Sequence, residues 1–116
     1  MTETLPHPRY RGRFAPSPTG RLHFGSLVAA LGSWLLARHH HGQWLVRVED
    51  LDPPREVAGA ARAQLATLAA FGMTSDLPVV WQSGRHDRYA SALERLLAAG
   101  TAFECRCSRS ELASAG

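Results

Sequence analysis

The residues best suited to chemistry lie between positions 13 and 26, in the run Arg13-Phe14-Ala15-Pro16-Ser17-Pro18-Thr19-Gly20-Arg21-Leu22-His23-Phe24-Gly25-Ser26. A strand here ends in a stiff Pro-Ser-Pro turn and feeds a helix that begins near Gly25. A helix N-terminus offers unbonded N–H groups and the positive end of the helix dipole, which suit a phosphate. Gly25 has no side chain to keep a ligand off its backbone. His23 stands just before the helix, where it could donate to phosphate oxygens as charge builds on them. The spacing is neither that of a Walker loop nor that of a GxGxxG loop. Residue types alone also fit an ordinary Pro/Gly-rich turn before a helix.

A second group pairs a cation with an anion. Arg13 lies inside the first strand, where burial would demand an acidic partner that a ligand carboxylate could supply. Glu49 ends the next strand and could hold an ammonium group, so the two form a plausible clamp for an amino acid. The acidic loop Glu49-Asp50-Leu51-Asp52 could instead be a solvated turn or a divalent-cation cluster, with Asp50 and Asp52 capping locally or pairing with Arg55. His39-His40-His41 suggest a metal, but consecutive helical residues point in different directions, and a helix C-terminus favours positive charge anyway. Cys105 and Cys107 are close enough to suggest metal or redox chemistry more than a structural disulfide.

The elements that must position these groups follow from periodicity. Residues Arg9 to Ala15 read as a strand, and Pro16 to Gly20 as the turn that stops it. Phe24 to His40 reads as a helix, with Leu27, Leu31, Trp34 and Leu35 at helical spacing and Gly42 as its stop. Trp44 to Val48 is a strand with apolar residues at alternate positions. A helix from about Glu56 to Phe71 follows, with Leu65, Leu68 and Phe71 on one stripe and Gly72 closing it. Val79 to Trp81 is a short strand, Arg85 to Ala99 a helix ended by Gly100, and Ala102 to Cys105 a fourth strand. Ser108 caps a further helix start. Strands alternating with helices predict an α/β fold, a parallel sheet with helices on its faces. Ligands in such sheets sit at the carboxyl ends of strands. The loops 15–26 and 49–55 both follow strands and should therefore meet at one edge.

Composition sets the outer bounds. The chain has 116 residues, 45% of them apolar, and a formal charge of +3. All the basic residues are arginines, a bias that coding preference explains as readily as the guanidinium's fit to carboxylates and phosphates. A charge this small does not by itself mark a nucleic-acid binder. No apolar run reaches the length of a membrane span, and residues 1–15 lack the apolar core of a signal peptide, so a cytoplasmic location with no membrane partner is expected. Residues 1–8 read as a flexible leader. Trp34, Trp44 and Trp81 read as packing residues.

The string RFAPSPTGRLHFGS resembles the first signature of the glutamate-specific class I aminoacyl-tRNA synthetases, with their HIGH motif in the form His23-Phe24-Gly25-Ser26. VRVEDLDPPRE resembles a second block of the same enzymes. Ser26, the run Leu27 to Ser33, the string Asp52 to Glu56 and the pair Cys105/Cys107 resemble the glutamyl-Q tRNA(Asp) synthetase branch. The likeness extends over residues 9–112.

It implies that residues 9–104 form the N-terminal half of a Rossmann-type catalytic domain and that 105–116 begin a zinc-binding insertion. It implies glutamate binding by Arg13, Phe14, Ala15, Pro16, Ser17 and Glu49, and ATP binding with Mg2+ by Pro18, Gly20, His23, Gly25 and Ser26, with His23 catalytic. Cys105 and Cys107 would supply half of a zinc site, since zinc prefers four ligands. Implied partners are L-glutamate, ATP and queuosine-bearing tRNA(Asp), for an enzyme expected to be a monomer. The family's lysine-rich second signature lies outside these residues, so turnover by the chain alone is not expected. Two other functions fit the same residues: a glutamyl-tRNA synthetase that charges the tRNA 3′ end, and a nucleotide-binding module without turnover. A plain RNA-binding module fits less well.

Overall fold

The computed structural model describes residues 9–116; the expected leader 1–8 lies outside them. The chain divides into two compact units between Gly84 and Arg85. The first is a three-stranded parallel sheet in the order β1-β2-β3, formed by β1 (Arg11–Phe14), β2 (Gln43–Val48) and β3 (Val80–Trp81). Helix α1 (Phe24–His39) connects β1 to β2, and α2 (Ala60–Ala70) connects β2 to β3. Arg11 pairs with Gln43 and Phe14 with Val46, while Arg47 and Val48 pair with Val80 and Trp81. The parallel α/β architecture expected from the sequence is therefore present.

The alternation in β2 does what its period requires: Trp44, Val46 and Val48 are all buried. Trp44 sits at the centre of the core with Ala30, Ala37, Val46, Leu68 and Met73, and its indole N–H donates to Ser33 Oγ at 2.8 Å. The face of α1 that meets the sheet differs from the leucine stripe read from the sequence. Ala30 and Ala37 are fully buried, whereas Leu31 and Leu35 are about half exposed, at 46% and 52%. The cause is the strand beneath. A Cβ on Gly12 would lie 2.8 Å from Ser33 O and 3.1 Å from Ala37 Cβ, so only small residues fit where α1 crosses β1.

The stop of α1 also differs. The left-handed residue is His41, at φ 51°, and not Gly42. Gly42 is needed for a different reason: a Cβ there would lie 2.2 Å from Tyr10 O. Gly72 and Gly100, by contrast, take φ values of 78° and 68° after α2 and after α3 (His86–Ala98), as helix stops require. The second helix begins four residues later than expected. A 3-10 turn at Pro53–Arg55 comes first, Glu56 is extended, and Gly59 in the left-handed region leads into α2.

Among the described residues no ladder partner faces the first half of β2 on its β3 side. There the segment 73–79 substitutes side chains for a strand. Trp44 N–H donates to Asp76 Oδ2 at 2.7 Å, Val46 N–H donates to Ser75 Oγ at 3.1 Å, and Asp76 N–H donates to Trp44 O at 2.9 Å. Asp76 also receives both terminal nitrogens of Arg38, each at 2.8 Å. The Arg38 hydrogen bonds, joined by that of Trp44 N–H, hold the Asp76 carboxyl below its ordinary value against a smaller opposing effect of burial.

The second unit holds α3 and α4 (Arg109–Ser114). Ser108 caps α4 as expected, and Glu111 returns the bond: Ser108 N–H donates to Glu111 Oε2 at 2.6 Å, and Glu111 N–H donates to Ser108 Oγ at 3.3 Å. The strand expected at 102–105 does not form. Thr101 and Ala102 turn their N–H groups back to Leu96 O, at 3.0 and 3.3 Å, and Phe103 is 84% exposed. Among the described residues no helix is long and apolar enough to cross a membrane.

Candidate functional site

The two loops expected to meet do so through backbone bonds. Pro16 and Pro18 have no N–H, so at these two positions the backbone of the loop between β1 and α1 can be held only through its carbonyls. Glu49 N–H donates to Pro16 O at 2.9 Å and Val57 N–H donates to Pro18 O at 3.0 Å. The end of β2 and the segment entering α2 thus both pin the proline loop. This explains why 56–59 stays out of the helix: its chain follows the loop.

At the other end of the loop, His23 is the N-cap of α1, with extended backbone (φ −88°, ψ 172°). Its Nδ1 accepts from Ser26 N–H at 3.2 Å, and its Nε2 lies 3.1 Å from Ser26 Oγ. An imidazole nitrogen that accepts an N–H carries no proton, so this arrangement places the ring proton on Nε2. Gly25 makes room for the ring: a Cβ there would lie 3.1 Å from His23 Cε1 and 3.2 Å from Nδ1. The first turn of α1 has no acidic residue. The N–H groups of Phe24 and Gly25, the first two of the helix, have no intrahelical acceptor. Two free amides, an Nε2–H donor and the dipole's positive end are therefore gathered where an anion would be stabilised.

These groups open onto a cleft of about 450 Å³. Of the residues expected to bind ligand, Phe14, Ala15, Pro16 and Ser17 line it from the β1 side, and His23, Gly25 and Ser26 from the helix side. Pro18 is buried and Gly20 half-buried behind this surface; neither lines the cleft. Gly20 takes φ +156°, a backbone that L side chains rarely adopt.

Arg13 and Glu49 do not line the cleft either. Arg13 is exposed, which corrects the expectation of burial, and it is in none of the ion pairs among the described residues. On β1, alternate residues share a face, so Arg13 points away from the Gly12 side that α1 covers. Glu49 is half-buried, and its Oε1 accepts from Arg47 at 2.8 Å. Its carboxylate is thus oriented by Arg47, near the end of the strand that precedes it.

The other acids are structural. Asp50 accepts from Ser83 N–H at 2.9 Å and from Ser83 Oγ at 2.6 Å, tying the end of β2 to the turn after β3. Burial pushes its carboxyl upward, but the hydrogen bonds from the Ser83 hydroxyl and backbone outweigh it, and the net direction is down. Asp52 pairs with Arg55, as the sequence suggested.

Cys105 and Cys107 are exposed free thiols. Among the described residues no three or more His, Cys, Asp or Glu side chains are grouped to hold a metal, which covers the histidine run as well. The cysteine pair by itself does not fit the four-ligand environment zinc prefers.

The sequence reading missed Gln64. This α2 residue is 3% exposed and lines the cleft. Its Nε2 donates to Ser17 O at 3.0 Å and to Gly20 O at 2.7 Å. The available signal was a glutamine in the buried register of α2, between Ala60 and Leu68.

A family model described as tRNA synthetases class I (E and Q), catalytic domain, matches residues 9–115. A curated protein from Xanthomonas axonopodis pv. citri named glutamyl-Q tRNA(Asp) synthetase is 65% identical over 112 residues, 97% of this chain and 38% of that protein. One of the same name from Xanthomonas campestris pv. campestris is 68% identical over 107 residues, 92% of this chain and 36% of that protein. The chain thus spans little more than a third of the length of these relatives. Among solved structures, a glutamate tRNA ligase from Elizabethkingia meningosepticum in complex with its amino acid matches with a TM-score of 0.77 and 32% identity, over 92% of this chain and 23% of that one.

Proposed function

The chain belongs to the class I tRNA synthetases of the glutamate and glutamine group, and from that premise we propose that the protein carrying it activates glutamate with ATP and transfers it to queuosine in the anticodon of tRNA(Asp). The observation that carries this reading is the pinned loop. It sets Ala15 to Ser17 and the capped start of α1, with His23, Gly25 and Ser26, around one cleft. An amino acid and a nucleotide phosphate are the two ligands such a cleft can hold side by side.

In the reaction, a glutamate carboxylate oxygen attacks the α-phosphorus of ATP. The bond to the bridging oxygen breaks, and pyrophosphate leaves with its electron pair, giving glutamyl-adenylate. The phosphoryl oxygens carry growing charge in the transition state, so preset donors there have the largest effect. His23 Nε2–H turns from Ser26 Oγ to a phosphate oxygen, and the free amides of Phe24 and Gly25 support the same charge. Pro18 and Gly20 shape the loop behind the nucleotide. Mg2+, entering with ATP, would supply charge neutralisation at the phosphates.

On the amino-acid side, Phe14 to Ser17 form the wall; Arg13 and Glu49 stand outside the cleft lining, and in this reading Arg13 would offer a two-pronged fork to a carboxylate and Glu49, oriented by Arg47, would take the ammonium. In the second step a hydroxyl of queuosine attacks the adenylate carbonyl and AMP leaves. The tRNA is a cytoplasmic substrate, and the cytoplasm is where the enzyme works. Cys105 and Cys107 would contribute two of four zinc ligands in the longer protein; no step above depends on them.

The test uses the full-length protein. Glutamate-dependent exchange between ATP and pyrophosphate in the absence of tRNA is expected, followed by labelled glutamate in the anticodon-loop nuclease fragment of queuosine-containing tRNA(Asp). Label at the 3′-terminal adenosine would replace this reading with tRNA charging. ATP retention without exchange would reduce it to a nucleotide-binding module.

A further inference from the structure

We infer that Gln64 is a positioning residue for the reaction: its amide NH2 cross-ties the Ser17 and Gly20 carbonyls and holds the proline loop in the shape that receives the ligands. This inference rests on the reading of the cleft given above.

Both hydrogens of the NH2 group are used, at 3.0 Å and 2.7 Å. Rotating the amide would set Oε1 against two carbonyl oxygens, so the orientation is fixed. With Pro16 and Pro18 unable to donate, the loop's shape depends on what its carbonyls receive. Glu49 and Val57 supply the backbone donors to Pro16 and Pro18. Gln64 is the side chain that ties the remainder of the turn, from Ser17 to Gly20. Its own Oε1 is buried without a partner. A methionine of similar length would fill the same space with no unpaired oxygen, so packing alone does not call for glutamine here. If the tie were lost, Ser17 O would keep its bond from Thr19 N–H at 2.9 Å, and the carbonyl of half-buried Gly20 would turn to water. The fold would then survive while the loop loosened.

The test compares Gln64→Met and Gln64→Glu with the wild type in the full-length protein. For Gln64→Met, kcat/KM for glutamate-dependent exchange should fall by up to about a hundredfold, as a displacement on the order of 1 Å at a reacting centre costs. Tm should stay close to wild type, and trypsin cleavage after Arg21, in the loosened loop, should speed up severalfold. Gln64→Glu presents a charged acceptor to two carbonyls. Its activity relative to wild type, assayed well below its Tm so that global stability does not set the rate, should rise as pH falls and the introduced carboxyl regains a proton to donate, with cleavage after Arg21 slowing over the same pH range. Asp76→Ala, which weakens the fold away from the loop, is the comparator for stability.

Wild-type kcat/KM together with unchanged cleavage after Arg21 in Gln64→Met would overturn the inference. So would an equal loss of exchange in Asp76→Ala, assayed at a temperature where both variants remain folded. If the wild type itself shows no exchange, the functional reading fails instead, and the Arg21 cleavage rates still decide whether Gln64 holds the loop.

Discussion

Asp76 replaces a strand with a side chain, and its removal has a calculable effect. Its carboxylate takes Trp44 N–H at 2.7 Å and two bonds from Arg38 at 2.8 Å. The ion pair is partly solvated, with side-chain exposures of 37% for Arg38 and 30% for Asp76, so its share is discounted to about 0.5 kcal/mol. Trp44 itself is fully buried. Truncating Asp76 leaves its N–H without an acceptor, at a cost of about 1–3 kcal/mol. Asp76→Ala should therefore destabilise by about 1.5–3.5 kcal/mol, and Arg38→Ala, which spares the bond to Trp44, by less than about 1 kcal/mol.

Urea melts of the full-length protein followed by tryptophan fluorescence read both values, and amide exchange at Trp44 reads the local one. Equal losses in the two variants would refute the reasoning, because the energy would then lie in the ion pair.

The carboxyl's downward shift, caused first by the Arg38 hydrogen bonds, adds a pH signature. A group whose folded value lies below its unfolded one stabilises fully above the unfolded value and loses that contribution as pH falls through the folded value. The gap between wild type and Asp76→Asn should stay flat near neutrality and close progressively below about pH 4.

Further expectations concern the crossing of α1 and the cleft. Gly12→Ala puts a methyl 2.8 Å from Ser33 O and should cost about 1–3 kcal/mol in a thermal or urea melt. His23→Ala should lower the exchange kcat by about 10²–10³-fold while costing only about 1 kcal/mol of stability for the lost cap; equal loss of binding and rate would argue against a transition-state role. Arg13→Lys should lower kcat/KM for glutamate by at least about tenfold, since lysine lacks the fork. The exposed, unpaired Arg13 leaves the fold no reason to respond, and circular dichroism should be unchanged. Glu49→Gln should raise KM for glutamate far more than KM for ATP in the same exchange assay.

What the sequence by itself determined is what local physics decides. Alternation placed Trp44, Val46 and Val48 inside. Glycines at 72 and 100 ended helices because only they take positive φ cheaply. The Pro-Ser-Pro turn and the histidine before Gly25 pointed to the residues that line the candidate cleft, since turn chemistry and an N-cap depend on neighbours within a few residues.

The tertiary structure decided what depends on residues far apart in the chain. The buried face of α1 is set by the room above Gly12, so alanines went inside where leucines were expected. The segment 56–59 stays out of the helix because Val57 is committed to Pro18. A strand at 102–105 needed a ladder partner, and the backbone turned back to Leu96 instead. Asp76 and Gln64 hold the sheet and the loop across 32 to 47 residues of sequence. No period or propensity encodes a hydrogen bond over that separation, because only the folded backbone brings its donor and acceptor together.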